Sequence, residues 1–172
     1  MKKKTMSIKW KKVNGATNYK IAYRQAGKKW TEKWSKGKNT ITLKKLKKNG
    51  LYEFKLMAVK KSGSTWTKSK WSKVNYRFFS NTTEKLKAVK KGAKVTVKIV
   101  KKGSGYDAQY ALKKAAITKG TIKSFKGAKK TTLKVSGLKS KKNYFVRTRP
   151  YKTYKGHKYI GIWNALKKVK TK

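Results

Sequence analysis

Short runs of alternating apolar and polar residues recur along the chain, and they constrain its fold more than any other feature. Met6, Ile8 and Trp10, for example, alternate with Ser7 and Lys9. Because successive side chains of a β-strand point to opposite faces, this period of two predicts strands with one buried face. Turn signals rich in Gly, Asn and Ser separate the runs and predict about six short strands in each half, without a convincing helix.

A few segments carry more specific predictions. The pattern predicts one continuous strand from Trp71 to Phe78 and another from Tyr159 to Val169. Ile122 and Phe125 indicate a short strand between turns. Residues 111–117 have local helix propensity, but about two turns of helix are marginal without other support.

The two halves of the sequence form an internal repeat. Three spacings coincide: Trp10 to Tyr19 with Val97 to Tyr106, Leu46 to Tyr52 with Leu138 to Tyr144, and Tyr52 to Trp71 with Tyr144 to Trp163. A five-residue insertion around 118–130 accounts for the different offsets at the front and back of the repeat. Repeats of this kind indicate two copies of one structural unit, so we predict domains at 1–80 and 81–172.

Each repeat has the features of a small β-sandwich. Tyr52 and Tyr144 each follow a leucine by six positions. This spacing predicts a tyrosine corner, in which the phenol hydroxyl bonds to backbone just upstream. The alternative is that both are ordinary core tyrosines. The predicted fold class is all-β.

Several segments resemble a known family. Residues 10–23 (WKKVNGATNYKIAY) resemble strand B, turn and strand C of fibronectin type III-like domains, and residues 144–153, 161–164 and 169–172 resemble their strands F and G. The resemblance is to tandem domains of secreted and surface proteins of Gram-positive anaerobic bacteria. It implies two immunoglobulin-like β-sandwiches, an extracellular or cell-surface location, and roles in adhesion, spacing or carbohydrate binding, usually without catalysis.

The chain departs from that family in several ways. Little sequence precedes Met6, so strand A of the first domain is expected to be missing, with the domain trimmed or a sheet edge open. Val97 stands where the first repeat has Trp10, and the second repeat lacks the Gly-Ala turn. The lysine-rich start is like a signal-peptide n-region but lacks an apolar h-region, so a signal peptide is expected to be absent or removed. No run is long and apolar enough for a transmembrane span.

The sequence offers little material for catalysis. It has no cysteine, one histidine (His157) and four acidic residues, Glu32, Glu53, Glu84 and Asp107. We expect each acidic residue to pair with nearby lysines rather than to act in a carboxylate pair. Metal sites need several His, Cys or acidic ligands, and no Gly-rich phosphate loop occurs. We therefore predict a non-enzyme without cofactors or metals.

The strongest functional signal is the positive charge. Lys and Arg number 52 against four acids, and only four of the 52 are arginines, which gives a net charge of +48. Lysine is a mobile point charge, so this composition favours non-specific electrostatic binding over base reading. The expected partners are anionic polymers or cell-envelope surfaces: teichoic acid, acidic or sulfated glycans and, non-specifically, nucleic acid. The candidate polyanion-binding residues are Lys9, Lys11, Lys44, Lys45, Lys47, Lys48, Lys139, Lys141 and Lys142. The alternative is that the lysines only solvate the surface.

Aromatic residues in polar segments are a second candidate element. Trp30, Trp34, Trp66 and Tyr154 are candidates for stacking on sugars or bases. The tryptophans could instead fill the sandwich edge or lie beneath lysine stems. Two alternative functions therefore stay open beside polyanion binding: a carbohydrate-binding module that uses these aromatics, and a structural spacer of a larger cell-surface protein.

Overall fold

The computed structural model describes residues 5–127, 129 and 131–172. Within this part of the chain, all regular secondary structure is β-strand except for one 3₁₀ helix. The chain divides into two compact units, called unit 1 and unit 2 below. Unit 1 ends at Phe79 and unit 2 begins at Ser80.

Unit 1 consists of two antiparallel sheets. Its strands are β1 (Met6–Lys9), β2 (Asn18–Gln25), β3 (Thr31–Trp34), β4 (Thr40–Leu43), β5 (Gly50–Ser62), β6 (Thr65–Lys68) and β7 (Asn75–Phe79). One sheet pairs β1 with β4. The other has the order β3–β2–β5–β7, and β6 pairs with the C-terminal end of β5.

The core of unit 1 lies between these sheets and follows the predicted alternation. On β2, Tyr19 and Ile21 are buried, whereas Lys20 between them is only half-buried. Leu43 of β4 packs in one cluster with Tyr52 of β5. Fully burying such a side chain stabilises the fold by roughly 1.5–3 kcal/mol, so alternation alone is enough to fix which face turns inward.

Unit 2 repeats this architecture with more strands. They are β8 (Glu84–Val89), β9 (Gly92–Val97), β10 (Gly105–Ala111), β11 (Thr121–Lys126), β12 (Thr132–Ser136), β13 (Asn143–Tyr154), β14 (His157–Ile160) and β15 (Lys167–Lys170). One sheet has the order β12–β9–β8. The other has the order β11–β10–β13–β14, and β15 pairs with the start of β13.

The predicted long strand from Trp71 to Phe78 is wrong at its start, since β7 begins only at Asn75. Before that point, serine hydroxyls replace backbone partners of β5. The Leu56 amide donates to Ser72 Oγ at 3.0 Å, and the Ala58 amide donates to Ser69 Oγ at 3.0 Å. Because the side chains take these bonds, the segment does not form a regular ladder.

The last strand of unit 2 is also interrupted, where a single strand from Tyr159 to Val169 was predicted. β14 ends at Ile160 and β15 begins at Lys167. The break lies opposite Pro150 of β13, whose carbonyl accepts from the Gly161 amide at 2.8 Å. Proline has no N–H, so the ladder cannot continue there with its usual paired bonds.

Two smaller predictions concern the segment before β12. The strand expected at Ile122 and Phe125 is confirmed as β11. The helix propensity of residues 111–117 gives a 3₁₀ helix at Lys114–Lys119, displaced towards the C-terminus. Such short 3₁₀ segments are common connectors between elements.

The units differ at one sheet edge. In unit 2, β8 pairs with β9 through Glu84 to Val89. Within residues 5–79, β4 is the only strand that pairs with β1, the counterpart of β9. The edge of β1 opposite β4 is therefore unpaired within the described part of unit 1.

Candidate binding surfaces

The tyrosine corners predicted from the repeat are confirmed in both units. The Tyr52 hydroxyl accepts a hydrogen bond from the Lys47 amide at 2.8 Å, and the Tyr144 hydroxyl accepts one from the Lys139 amide at 3.1 Å. Each bond joins a lysine-bearing loop to the strand that follows it. The loop backbone is therefore fixed to the core of its own unit.

A second pair of tyrosines holds the loop before β2 and before β10. The Tyr19 hydroxyl accepts from the Val13 amide at 2.8 Å, and the Tyr106 hydroxyl accepts from the Val100 amide at 3.1 Å. Burial raises the pKa of Tyr106, which keeps its hydroxyl protonated. The repeat aligns these two tyrosines, but this role was not predicted from the sequence. The signal was present, since a valine stands six positions before each of them.

The first candidate lysine cluster surrounds the corner of unit 1. Lys44, Lys45, Lys47 and Lys48 are all exposed, whereas Leu46 between them is buried in the core. Leu46 and the bond from Lys47 to the corner tyrosine together anchor the loop. Four ammonium groups thus extend from one fixed turn.

The second candidate cluster occupies the same corner of unit 2. Lys139, Lys141 and Lys142 are exposed beside buried Leu138. Thr171 adds a further anchor, because its hydroxyl accepts from the Lys142 amide at 3.0 Å and donates to the Lys139 carbonyl at 2.6 Å. The two corners therefore present lysines from equivalent, fixed loops.

The remaining candidate lysines, Lys9 and Lys11, are also exposed. Lys9 is the last residue of β1, and Lys11 follows the strand. Both lie outside the corner loops. The sequence predicted their exposure from the alternation with Ile8 and Trp10.

The few acidic residues do little to offset this charge at the surface. Glu53, Glu84 and Asp107 are buried, and Glu32 is the one exposed acid of the four. Glu32 forms an ion pair with Lys20, as expected. Glu53 instead accepts from an arginine, Arg24, whose Nε lies 2.6 Å from its carboxylate.

Asp107 is the centre of a polar cluster in unit 2. It is fully buried, and Lys158 Nζ and Ser124 Oγ both donate to its Oδ1 at 2.7 Å. Arg149 Nε donates to Oδ2 at 3.0 Å. Burial opposes ionisation of Asp107, but the bonds from Lys158, Ser124 and Arg149 and the charge of Lys158 together hold its pKa below the ordinary value. This cluster is a satisfied structural ion network.

The pKa of Glu84 is shifted in the opposite direction from that of Asp107. Burial raises the pKa of its carboxyl above the ordinary value, although a hydrogen bond from Thr148 and the charge of Lys167 favour the ionised form. The Thr148 hydroxyl donates to Glu84 Oε2, and Lys167 Nζ donates to the backbone carbonyl of Glu84. These contacts join β8 to β13 and to β15.

Two of the candidate aromatics form an exposed pair. Trp34 of β3 and Trp66 of β6 are 43% and 47% exposed. Their ring centroids are 6.1 Å apart, and their planes are tilted by 52°. Lys20 Nζ lies 5.5 Å from the centroid of Trp34, and Lys61 Nζ lies 5.4 Å from that of Trp66.

Trp30 has a different environment from this pair. It is half-buried, with Arg24 Cζ 4.4 Å and Lys55 Nζ 5.0 Å from its ring centroid. Lys55 Nζ also lies 4.8 Å from the ring of Trp71. This arrangement agrees with the alternative interpretation that a tryptophan packs against the stems and charges of basic residues.

Unit 2 contains one candidate aromatic, Tyr154, and one cation–aromatic stack that was not predicted from the sequence. Tyr154, at the end of β13, is 39% exposed and makes an edge contact with Tyr159 at 6.3 Å. Trp163 has Arg147 Cζ at 4.7 Å and Arg149 Cζ at 4.1 Å from its ring centroid. Trp163 is the repeat counterpart of Trp71, so a tryptophan stacked with cations recurs at this position.

Neither a metal cluster nor a membrane helix is found in the described part of the chain. Across residues 5–127, 129 and 131–172, no three His, Asp or Glu side chains are grouped so that they could hold a metal ion. Among the same residues, no helix is sufficiently long and apolar to span a membrane.

A comparison with known protein families supports the resemblance seen in the sequence of unit 1. Residues 2–75 match the fibronectin type III domain. No curated protein matches the sequence. Among solved structures, the FN1–FN3 domains of chicken CNTN1 share 15% identity at a TM-score of 0.46, covering 98% of this chain and 62% of theirs. A segment of two fibronectin type III domains from chicken tenascin shares 19% identity at a TM-score of 0.46, covering 98% and 93%.

Fibronectin type III domains are commonly structural or binding modules of cell-surface proteins, typically extracellular and generally non-catalytic. The match covers most of unit 1, where paired sheets enclose the core. The predicted all-β fold class, with sandwich sheets, is therefore confirmed, and residues 2–75 match a fibronectin type III domain.

Proposed function

We propose that this protein is a non-catalytic extracellular module that holds anionic polymers through its lysine-rich surface. Teichoic acid, acidic or sulfated glycans and, without sequence preference, nucleic acid are the ligand classes that fit this chemistry. A bacterial cell envelope is the setting that the sequence resemblance favours.

The observation that supports this proposal most directly is the pair of corner clusters. Lys44, Lys45, Lys47 and Lys48 extend from a turn anchored by Leu46. An equivalent turn in unit 2 presents its own exposed lysines. Because the turns are fixed, several lysines start from neighbouring backbone positions, and their summed potential attracts multivalent anions more than scattered charges would.

The burial of acids strengthens this potential. Glu53, Glu84 and Asp107 lie inside their units, so their charges contribute little beyond their immediate partners. The exterior carries almost one sign of charge. Such binding is electrostatic and not shape-specific. For duplex DNA, the logarithm of the binding constant is expected to fall with the logarithm of the salt concentration, with a slope of about −0.9 per phosphate neutralised.

A salt titration with heparin and with teichoic acid tests the proposal. The test variant changes the four corner lysines of unit 1 to glutamine. The matched control changes four exposed lysines elsewhere to glutamine, and these are Lys113, Lys114, Lys119 and Lys123. Both variants lose the same net charge.

We expect the corner variant to bind either polymer more weakly than the control at low salt, with a shallower dependence on salt. Equal losses would contradict a role for the corners. Failure of the unchanged protein to bind any polyanion at low salt would overturn the proposal and favour a structural spacer.

A further inference from the structure

The tryptophan pair, Trp34 and Trp66, lies on the outer face of the larger sheet of unit 1. Trp34 stands opposite Lys20 of β2, and Trp66 stands opposite Lys61 of β5. The residues are far apart in sequence, and the register of the sheet brings their rings together. A large apolar surface is thereby left open to solvent beside two ammonium groups.

The fold does not require aromatic residues at these positions. The strand registers place Ser124 of unit 2 at the position of Trp34, since it stands opposite Asp107 as Trp34 stands opposite Lys20. Lys158 corresponds to Trp66. On β5, Lys20 pairs with Met57, and Trp66 pairs with Lys61, four residues further on. On β13, Asp107 pairs with Arg149, and Lys158 pairs with Thr153, also four residues further on. The equivalent sheet of unit 2 thus has a small polar residue and a charged residue at these two positions.

A carboxylate accompanies the tryptophan pair. Glu32 lies two residues before Trp34 on β3 and forms an ion pair with Lys20, whose Nζ is the cation over the Trp34 ring. The Glu32 side chain is 44% exposed. Among the described residues, the only exposed acidic side chain therefore stands beside this exposed aromatic pair.

These groups have complementary chemistry towards a sugar. A carboxylate accepts hydrogen bonds from hydroxyl groups, an ammonium donates them, and an indole face packs against the apolar C–H face of a pyranose ring. A phosphate or sulfate would instead meet the repulsion of Glu32. We propose that Trp34, Trp66, Glu32 and Lys20 form a binding site for a neutral pyranose unit of a glycan.

Single-stranded nucleic acid is a less suitable ligand for this site. Bases stack in parallel on aromatic platforms whose surroundings track the phosphates with positive charge. Here the rings are tilted by 52°, and the neighbouring Glu32, paired with Lys20, adds a negative charge to the site. The site is also distinct from the lysine corners, so it goes beyond the charge-based function proposed above.

The test uses the full chain at about 1 M NaCl, where the Debye length is about 3 Å and lysine-driven binding is suppressed. The probes are cellohexaose, chitohexaose, mannohexaose and xylohexaose, with a dT12 oligonucleotide as comparison. Binding is measured by calorimetry and by intrinsic tryptophan fluorescence. The variants are Trp34→Ala, Trp66→Ala and Glu32→Gln, and the control is Ile122→Ala, which removes an exposed apolar side chain of unit 2.

We expect at least one hexasaccharide to bind at this salt concentration, and either tryptophan variant to weaken that binding by about tenfold or more. The Ile122 control should bind as the unchanged protein does. Glu32→Gln should weaken sugar binding, because the change removes a carboxylate that accepts hydrogen bonds from sugar hydroxyls. Thermal unfolding of each variant shows that the domain remains folded.

Absence of binding to all four hexasaccharides would overturn the proposal. So would sugar binding that both tryptophan variants retain, or binding of dT12 alone that depends on Trp34. None of these results would affect the polyanion proposal, which depends on the corner lysines and on low salt.

Discussion

The two units place opposite chemistry at equivalent positions of their corresponding sheets. The three positions are occupied by Lys20, Trp34 and Trp66 in unit 1 and by Asp107, Ser124 and Lys158 in unit 2. In unit 1 the rings stay open to solvent, whereas in unit 2 the carboxylate is fully buried and its partners close around it. Strand pairing requires neither set of side chains, so the outer face can vary while the core is retained.

This comparison separates residues that stabilise a unit from residues available for binding. A buried ion network cannot lose a member without leaving a charge uncompensated. An exposed ring loses only the contacts that it makes at the surface. The same position should therefore be sensitive to substitution in unit 2 and tolerant in unit 1.

The largest expected effect is on Asp107. Asp107→Asn removes the charge that Lys158 and Arg149 contact, and we expect the free energy of unfolding of unit 2 to fall by about 3 kcal/mol. Urea denaturation followed by fluorescence measures the loss. Glu32→Gln is the matched control, since it alters an exposed ion pair in unit 1 and should cost less than about 1 kcal/mol. Equal losses for the two variants would contradict the comparison.

The tyrosine corners should behave alike in the two units. Tyr52→Phe and Tyr144→Phe each leave a lysine amide without its hydroxyl partner, which costs roughly 1–2 kcal/mol. Because the geometry is repeated, the two losses should agree within about 0.5 kcal/mol. A loss in only one unit would show that the corners are not equivalent. Denaturant unfolding of each variant checks this result.

A smaller effect should appear in the dependence of stability on pH. The pKa of Glu84 is raised by burial, so its contribution to stability is present below about pH 4.5 and is lost as pH rises through the raised value. The pKa of Asp107 is lowered, so its contribution is present above about pH 3.8 and is lost as pH falls through the lowered value.

Glu84→Gln should therefore gain stability relative to the unchanged protein as pH rises above 4.5, and the two should converge below it. Thermal melts across this range measure the difference. Asp107 gives an internal check, because its contribution to stability is lost only at pH values below its lowered pKa, outside the range in which Glu84 acts. A difference between the proteins that does not change with pH would exclude Glu84 as its source.

The smallest effect is expected at the tryptophan pair. Trp34→Ser gives unit 1 the residue that unit 2 has at this position. We expect the free energy of unfolding to change by about 1 kcal/mol or less, since the ring is largely a surface group. A loss as large as that of Asp107→Asn would mean that the ring supports the fold.

The sequence predicted the features that depend on local alternation and on the repeat. Ile21 and Tyr52 lie in the core because their neighbours alternate with polar residues, and the corners follow from one repeated spacing. The strand ends were harder to predict. Ser72 and Pro150 alter the hydrogen-bond ladder through their own side-chain chemistry, and alternation does not report such effects.

The binding surfaces were predictable only in part. Exposure of the corner lysines follows from their loops, but the contact of Trp34 with Trp66 depends on the register of strands distant in sequence. The burial of Asp107 was also missed. Asp107 occupies the repeat position of Lys20, and the buried network is the structural basis of this reversal of charge.

The tyrosine corner has a consequence for how a polymer would be captured. A loop that ordered only on contact with its ligand would lose backbone freedom at that moment, at about 1–2 kcal/mol per residue. Here the Tyr52 hydroxyl and buried Leu46 restrict the loop before any ligand arrives. Only the flexible lysine stems remain to be ordered, and these can adapt to anions of different spacing. For the proposed polymer binding, a fixed loop with flexible lysine side chains would favour rapid association and would accept anions of irregular spacing.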